Sequence, residues 1–208
     1  MHLAPRSRTV LTGAVAALAA AALSAAPASA APAATPAAGC PAVPTVQPFR
    51  AWQDLGDYIL APDGGLEAGG DAWSLQGGAR AVEGNEPFAV GAATDHMALD
   101  LPAGSAATTA PMCIGVEHKT MRFFAAGATT GTLSVEALYT TSSGREQSVA
   151  LGTVGGSGTW AATDALAMKV DARAADYDNA LQVSLRFTPR GPGGWQIDDV
   201  YVDPYRVR

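Results

Sequence analysis

Gly193-Gly194-Trp195-Gln196-Ile197-Asp198-Asp199-Val200-Tyr201-Val202-Asp203-Pro204 reads as a β-strand that is apolar on both sides of two adjacent acids. Successive side chains of a strand point to opposite faces. Strict alternation therefore puts Trp195, Ile197, Asp199 and Tyr201 on one face, and Gln196, Asp198, Val200 and Val202 on the other. Each face then mixes large apolar groups with a carboxylate. Burying an ionised carboxylate without a partner is costly, so at least one of these acids must sit at a bulge, at a rim, beside a base or on a cation.

Upstream, several segments alternate more simply. Leu133, Val135, Ala137 and Tyr139 oppose Ser134, Glu136 and Leu138, and Leu181, Val183, Leu185 and Phe187 oppose Gln182, Ser184, Arg186 and Thr188. Met97, Leu99 and Leu101 against Ala98 and Asp100, and Leu166, Met168 and Val170 against Ala167, Lys169 and Asp171, repeat the pattern. One buried and one wet face is the pattern of antiparallel sheet. Turns such as Asp63-Gly64-Gly65, Gly77-Gly78, Ser143-Gly144 and Gly155-Gly156-Ser157-Gly158 cut the chain into pieces of strand length. Beyond the N-terminal segment no stretch holds a helical period, and Asp171 to Asn179 would supply at most one helical turn. About ten short strands within one domain's length predict an all-β fold, an antiparallel sandwich of the jelly-roll type.

Residues 1–30 are expected to be a signal peptide: Arg6 and Arg8 precede an apolar run from Val10 to Leu23, and Ala28-Ser29-Ala30 offers small residues for cleavage. The apolar run is too short for a stable membrane span, and no later stretch approaches the ~20 residues one needs. A secreted, extracellular protein with no membrane span is expected. Residues 31–48, rich in Ala, Pro and Thr, read as a flexible linker, and 49–208 as the sandwich domain. The only cysteines, Cys40 and Cys113, favour a disulfide in an exported chain over two free thiols. Without residues 1–30, eleven Lys and Arg face nineteen Asp and Glu, a net charge of −8, which argues against nucleic acid as a partner.

Asp63-Gly64-Gly65-Leu66-Glu67-Ala68-Gly69 followed by Trp73, then Trp160 after a glycine turn, then Trp195-Gln196-Ile197-Asp198-Asp199-Val200, form an ordered set. It resembles the carbohydrate-binding modules attached to bacterial cellulases and xylanases, in the galactose-binding-like jelly-roll superfamily. Those open on a Gly-Gly-aromatic-Glu-x-Gly element and close on an Ile-Asp-Asp-Val strand. The resemblance covers about residues 57–203, with Leu66 standing where the family usually has Phe. The chain also looks like small exported proteins of high-GC Gram-positive (actinobacterial) origin. What the resemblance implies is a structural calcium site shared by Glu67 and Asp198, with Asp199 as substitute if a bulge shifts the register. Calcium takes six to eight hard oxygens, which two carboxylates and turn carbonyls can supply. The alternative is that Glu67 caps a turn or pairs with an arginine such as Arg186, and that Asp198 accepts backbone N–H bonds. Trp73, Trp160 and Trp195 are core positions by the same resemblance.

Sugar recognition needs aromatic planes beside a few placed polar groups. Tyr139, Tyr177, Arg122 and Gln182, with Tyr58, are the candidates for such contacts; Trp52 is expected to pack under the sheet, and Tyr201 and Tyr205 at the closing strand. No catalytic pattern emerges: His96 and His118 lack metal-ligand spacing, no Gly-x-Ser-x-Gly elbow occurs, and acids such as Glu83, Glu86, Asp100 and Glu117 read as solvated surface. The function expected is a non-catalytic, monomeric polysaccharide-binding module. The competing expectation is a cell-surface structural or interaction module that has lost sugar recognition.

Overall fold

The computed structural model describes residues 40, 43–141, 143–170 and 180–204. The expected signal peptide, the possible helical turn at 171–179 with Tyr177, and Tyr205 lie outside the described residues. Two antiparallel sheets face one another. The first runs β10 (Ala161–Ala162), β7 (His118–Gly127), β13 (Trp195–Pro204), β4 (Met97–Leu101), β3 (Arg80–Glu83), with β1 (Ile59–Leu60) paired to β13 and β11 (Leu166–Ala167) to β7. The second runs β2 (Trp73–Gln76), β5 (Ala106–Thr109), β12 (Ala180–Arg190), β8 (Thr132–Thr140), β9 (Glu146–Gly155), with β6 (Met112–Gly115) paired to β12. This is the expected all-β jelly-roll sandwich.

Its core follows from the alternation. Leu181, Val183, Leu185 and Phe187 of β12 and Leu133, Val135 and Ala137 of β8 are all buried in one inter-sheet cluster, together with Met121 and Phe123 of β7 and Leu99 and Leu101 of β4. Trp73 and Trp195 join it, and Trp73 packs on Phe187 with ring centroids 5.7 Å apart.

The closing strand departs from strict alternation. Its pairing with β7 slips between Asp198 and Tyr201, and Asp199 adopts φ 51°, the left-handed region that Asp tolerates better than most side chains. Trp195 and Ile197 face the core, and after the extra residue Val200 and Val202 do so too, while Tyr201 turns outward. The bulge resolves the conflict in the sequence, since four apolar residues point inward and neither acid has to.

A second cluster lies on the outer face of the first sheet. Phe49, Tyr58, Phe124 and Tyr201 pack there, with Trp52, Val90, Trp160 and Ala162 against them. Trp160 therefore belongs to this outer cluster and not to the inter-sheet core, and Trp52 packs over the sheet from outside. Residues 43–48, in the stretch read as linker, carry main-chain bonds: Val46 and Tyr58 exchange N–H···O contacts of 2.9 and 2.8 Å. Cys40 is bridged to Cys113 on β6, as expected, with a Cα–Cα distance of 5.4 Å.

Candidate functional site

The bulge is where the first and last motifs meet. The 61–70 turns lie against it because Ala61 N–H donates to Val200 O (2.8 Å) and Val200 N–H donates to Gly64 O (3.0 Å). A Cβ on Gly64 would lie 2.7 Å from Val200 O, so only glycine permits this approach. The Asp63 carboxylate shapes the same turn by accepting from Ala68 N–H (3.0 Å) and Gly70 N–H (2.9 Å).

Five carboxylates gather around the bulge. Asp198 is fully buried and accepts from Glu86 N–H (3.3 Å) and Asp199 N–H (2.7 Å). Glu86, also buried, accepts from Phe88 N–H and, at 2.6 Å, from Val90 N–H. Asp95 accepts from Ala92 N–H at 2.6 Å. Glu67 Oε1 accepts from His96 N–H and Met97 N–H, both 2.8 Å, and its Oε2 lies 3.0 Å from His96 Nδ1.

Asp199 differs from the other four: it is 3% exposed, yet no hydrogen-bond donor among the described residues reaches its carboxylate. Burial, and then the charges of Glu86, Asp95 and Glu67, push its carboxyl up to about 7. Burial and the neighbouring Asp199 charge push Asp198 up to about 8, against the two backbone N–H bonds that favour its ionised form. Among the described residues no arginine or lysine forms an ion pair with Asp198, Asp199, Glu86 or Asp95.

The donor set fits a hard cation in kind. It offers carboxylate oxygens, of which those of Glu67 are shared with His96, together with a buried acid that no donor among the described residues reaches, and glycine turns that bring main chain close. A Cβ on Gly65 would lie 3.4 Å from Asp199 Oδ1; one on Gly91 would overlap Asp95 Oδ2 and lie 3.5 Å from Asp199 Oδ1. The space beside Gly91 is thus bounded by two carboxylates. Among the described residues no three His, Cys, Asp or Glu side chains converge closely enough to enclose a metal. The Asp199 carboxylate lies near enough to Glu67 for the charge of the latter to act on it. Asp198 is turned toward Glu86 N–H, the bulge having shifted the register.

The residues expected to contact a ligand lie on three different surfaces. Tyr139 belongs to the inter-sheet core. Gln182 is half-buried on the outer side of β12, opposite Cys113. Arg122, on the outer side of β7, is buried and engaged: it pairs with Asp54 (2.6 Å), donates to Thr163 O (2.9 Å) and lies 4.3 Å from the Phe49 ring centroid. The Tyr58 hydroxyl donates a hydrogen bond to Asp54 Oδ2 at 2.7 Å. Arg186 pairs with Glu136 (2.9 Å), not with Glu67.

Sequence reasoning passed over Phe88. It is 43% exposed and packs edge-on to half-buried Trp52, with centroids 5.0 Å apart, and at 5.6 Å from Phe124. Exposed Arg50 and Gln53 flank Trp52 in the chain. By contrast, the outer face of the second sheet shows Ser134, Glu136, Arg186 and Thr188 on its described strands and no aromatic ring. The only signal for Phe88 was its place one residue beyond Pro87 in a segment without period.

Neither a protein-family model nor a curated protein matches the chain. Its fold is similar to several solved structures. One is the CBM22-1–GH10 portion of Clostridium thermocellum endo-1,4-β-D-xylanase 10B with xylohexaose: 16% identity, 72% of this chain, 28% of that one, TM-score 0.49. Another is the CBM22-1 xylan-binding domain of Paenibacillus barcinonensis Xyn10C: 12% identity, 73% and 97% covered, TM-score 0.48. A third is TmCBM61 with β-1,4-galactotriose: 16% identity, 67% and 94% covered, TM-score 0.40. The chain thus spans little more than a quarter of the first of these.

Proposed function

We propose that this is an exported, non-catalytic jelly-roll module that binds polysaccharide at the aromatic surface of Phe88 and Trp52. A calcium ion between Glu67 and Asp199 would hold the neighbouring loops. The observation that carries the glycan reading is Phe88, an exposed ring braced on a second ring, Trp52, which exposed Arg50 and Gln53 flank in the chain. A rigid aromatic plane stacks on a pyranose face at low entropic cost, while neighbouring polar groups address the hydroxyls. The order of the three sequence motifs supports the same reading. The calcium reading is supported by the buried, unpartnered Asp199 among acids that lack a base.

Retention of purified protein on a panel of insoluble envelope and plant polysaccharides tests the glycan reading. The wild type is expected to be retained and Phe88→Ala to be lost. No retention on any polymer, or equal retention of the variant, would contradict it.

A second reading, an interaction module of the cell surface, is favoured by the ring-free outer face of the second sheet. There the Arg186 guanidinium is spent on Glu136 Oε2 at 2.9 and 3.1 Å, with Ser148 donating to Glu136 Oε1 at 2.8 Å.

A further inference from the structure

The proposal here rests on the calcium reading above and extends it to the aromatic surface. We propose that a divalent cation at Asp199 positions the 84–96 segment through Glu86 and Asp95, and so controls the seating of Phe88 on Trp52.

Acids make the side-chain hydrogen bonds that tie down the 84–96 segment, beside the packing of Phe88 and Val90 on the outer aromatic cluster. Glu86 N–H donates to Asp198, 112 residues away, and the Glu86 carboxylate gathers in Phe88 N–H and Val90 N–H. At its far end, His96 N–H and Met97 N–H are held by Glu67. Between these anchors Asp95 faces Asp199 across the space beside Gly91. The segment therefore brings two carboxylates, Glu86 and Asp95, against a buried pair, Asp198 and Asp199. Like charges at this range repel in a medium less polar than water.

Among the described residues no basic side chain compensates, apart from the mostly exposed His96 paired to Glu67. The Asp199 carboxylate meets no donor among the described residues while being almost fully buried, so the position that a counter-charge would fill is defined. Because three side chains do not yet converge there, a cation would draw Asp95 toward Asp199 and pull the segment inward. Phe88 lies two residues from Glu86 and is held by its carboxylate, so the ring follows the acid. Glu86 and Asp95 are thus positioning residues for the aromatic surface.

The test is calcium titration of chelator-treated protein, followed both by calorimetry and by tryptophan emission. Trp52→Phe isolates the contribution of Trp52, and far-UV circular dichroism verifies that the sheets persist. Calcium is expected to move the Trp52 emission to shorter wavelength as Phe88 is held more firmly in its contact with that ring, and this component is expected to vanish in Trp52→Phe. Glu86→Gln and Asp95→Asn are each expected to weaken calcium binding by about tenfold. Calcium uptake with no change in Trp52 emission, or with both variants binding like wild type, would overturn the coupling and leave the calcium reading standing. No uptake by the wild type at millimolar calcium would overturn both.

Discussion

Two sets of acids in this sandwich meet opposite environments. Asp54 and Glu136 are partly buried and each faces a guanidinium. Burial alone would raise their pKa values, but Tyr58, Gly56 N–H and Arg122 around Asp54, and Ser148 and Arg186 around Glu136, outweigh it and hold both below the usual carboxylate range. Asp198 and Asp199 are more deeply buried and have only backbone donors or further acids, so both are raised. The difference lies in the counter-charge and not in the residue type. The chain supplies it internally for the first set, and protons or a cation must supply it for the second.

The largest effect should appear when the second set is left without a cation. For Asp198 and Asp199 the folded pKa lies above the unfolded one, so the unfolded state binds fewer protons in the interval between them and stability falls as pH rises. Chelated protein should be most stable near pH 4 and lose stability up to about pH 7–8, the raised values of these groups. The slope is at most about 1.4 kcal/mol per pH unit for each group. Urea unfolding across this range, with and without calcium, checks it; a flat profile for the chelated protein would remove the contrast.

Arg122→Ala probes the compensated set. It strands the Asp54 carboxylate and removes the cation over Phe49, and should cost about 3 kcal/mol by urea unfolding, with or without calcium. Asp199→Asn should change sign with conditions. In chelator at pH 8 it should stabilise by about 1 kcal/mol by deleting an uncompensated charge, and in calcium it should destabilise by a similar amount. Glu136→Gln should cost below about 1 kcal/mol, since the pair with Arg186 lies on a half-exposed strand face, and should show no calcium dependence.

The sandwich was legible in the sequence because β8 and β12 alternate cleanly and one period-two pattern admits one core face. The two motifs also pointed to the right neighbourhood, since the 61–70 turns do meet the closing strand. Which acid faces Glu67 was not legible. Asp198-Asp199-Val200 gives no sign of where the extra residue falls, and one residue's shift exchanges the two faces. Glu86 and Asp95 were invisible because their segment has no period and meets Asp198 only through the fold. The outer aromatic cluster was hidden likewise: Phe49 and Trp52 flank a single tight turn, and their partner Phe124 alternates with core residues on a strand buried on both sides.

The thermal midpoint in calcium against that in chelator, at pH 8, tests the uncompensated acids most directly. A cation bound only by the folded state at a hundred times its Kd adds about 2.7 kcal/mol, which for a domain of this size is a rise of roughly 5–10 °C. The account predicts such a rise, lost in Asp199→Asn. Equal midpoints in calcium and chelator would contradict it.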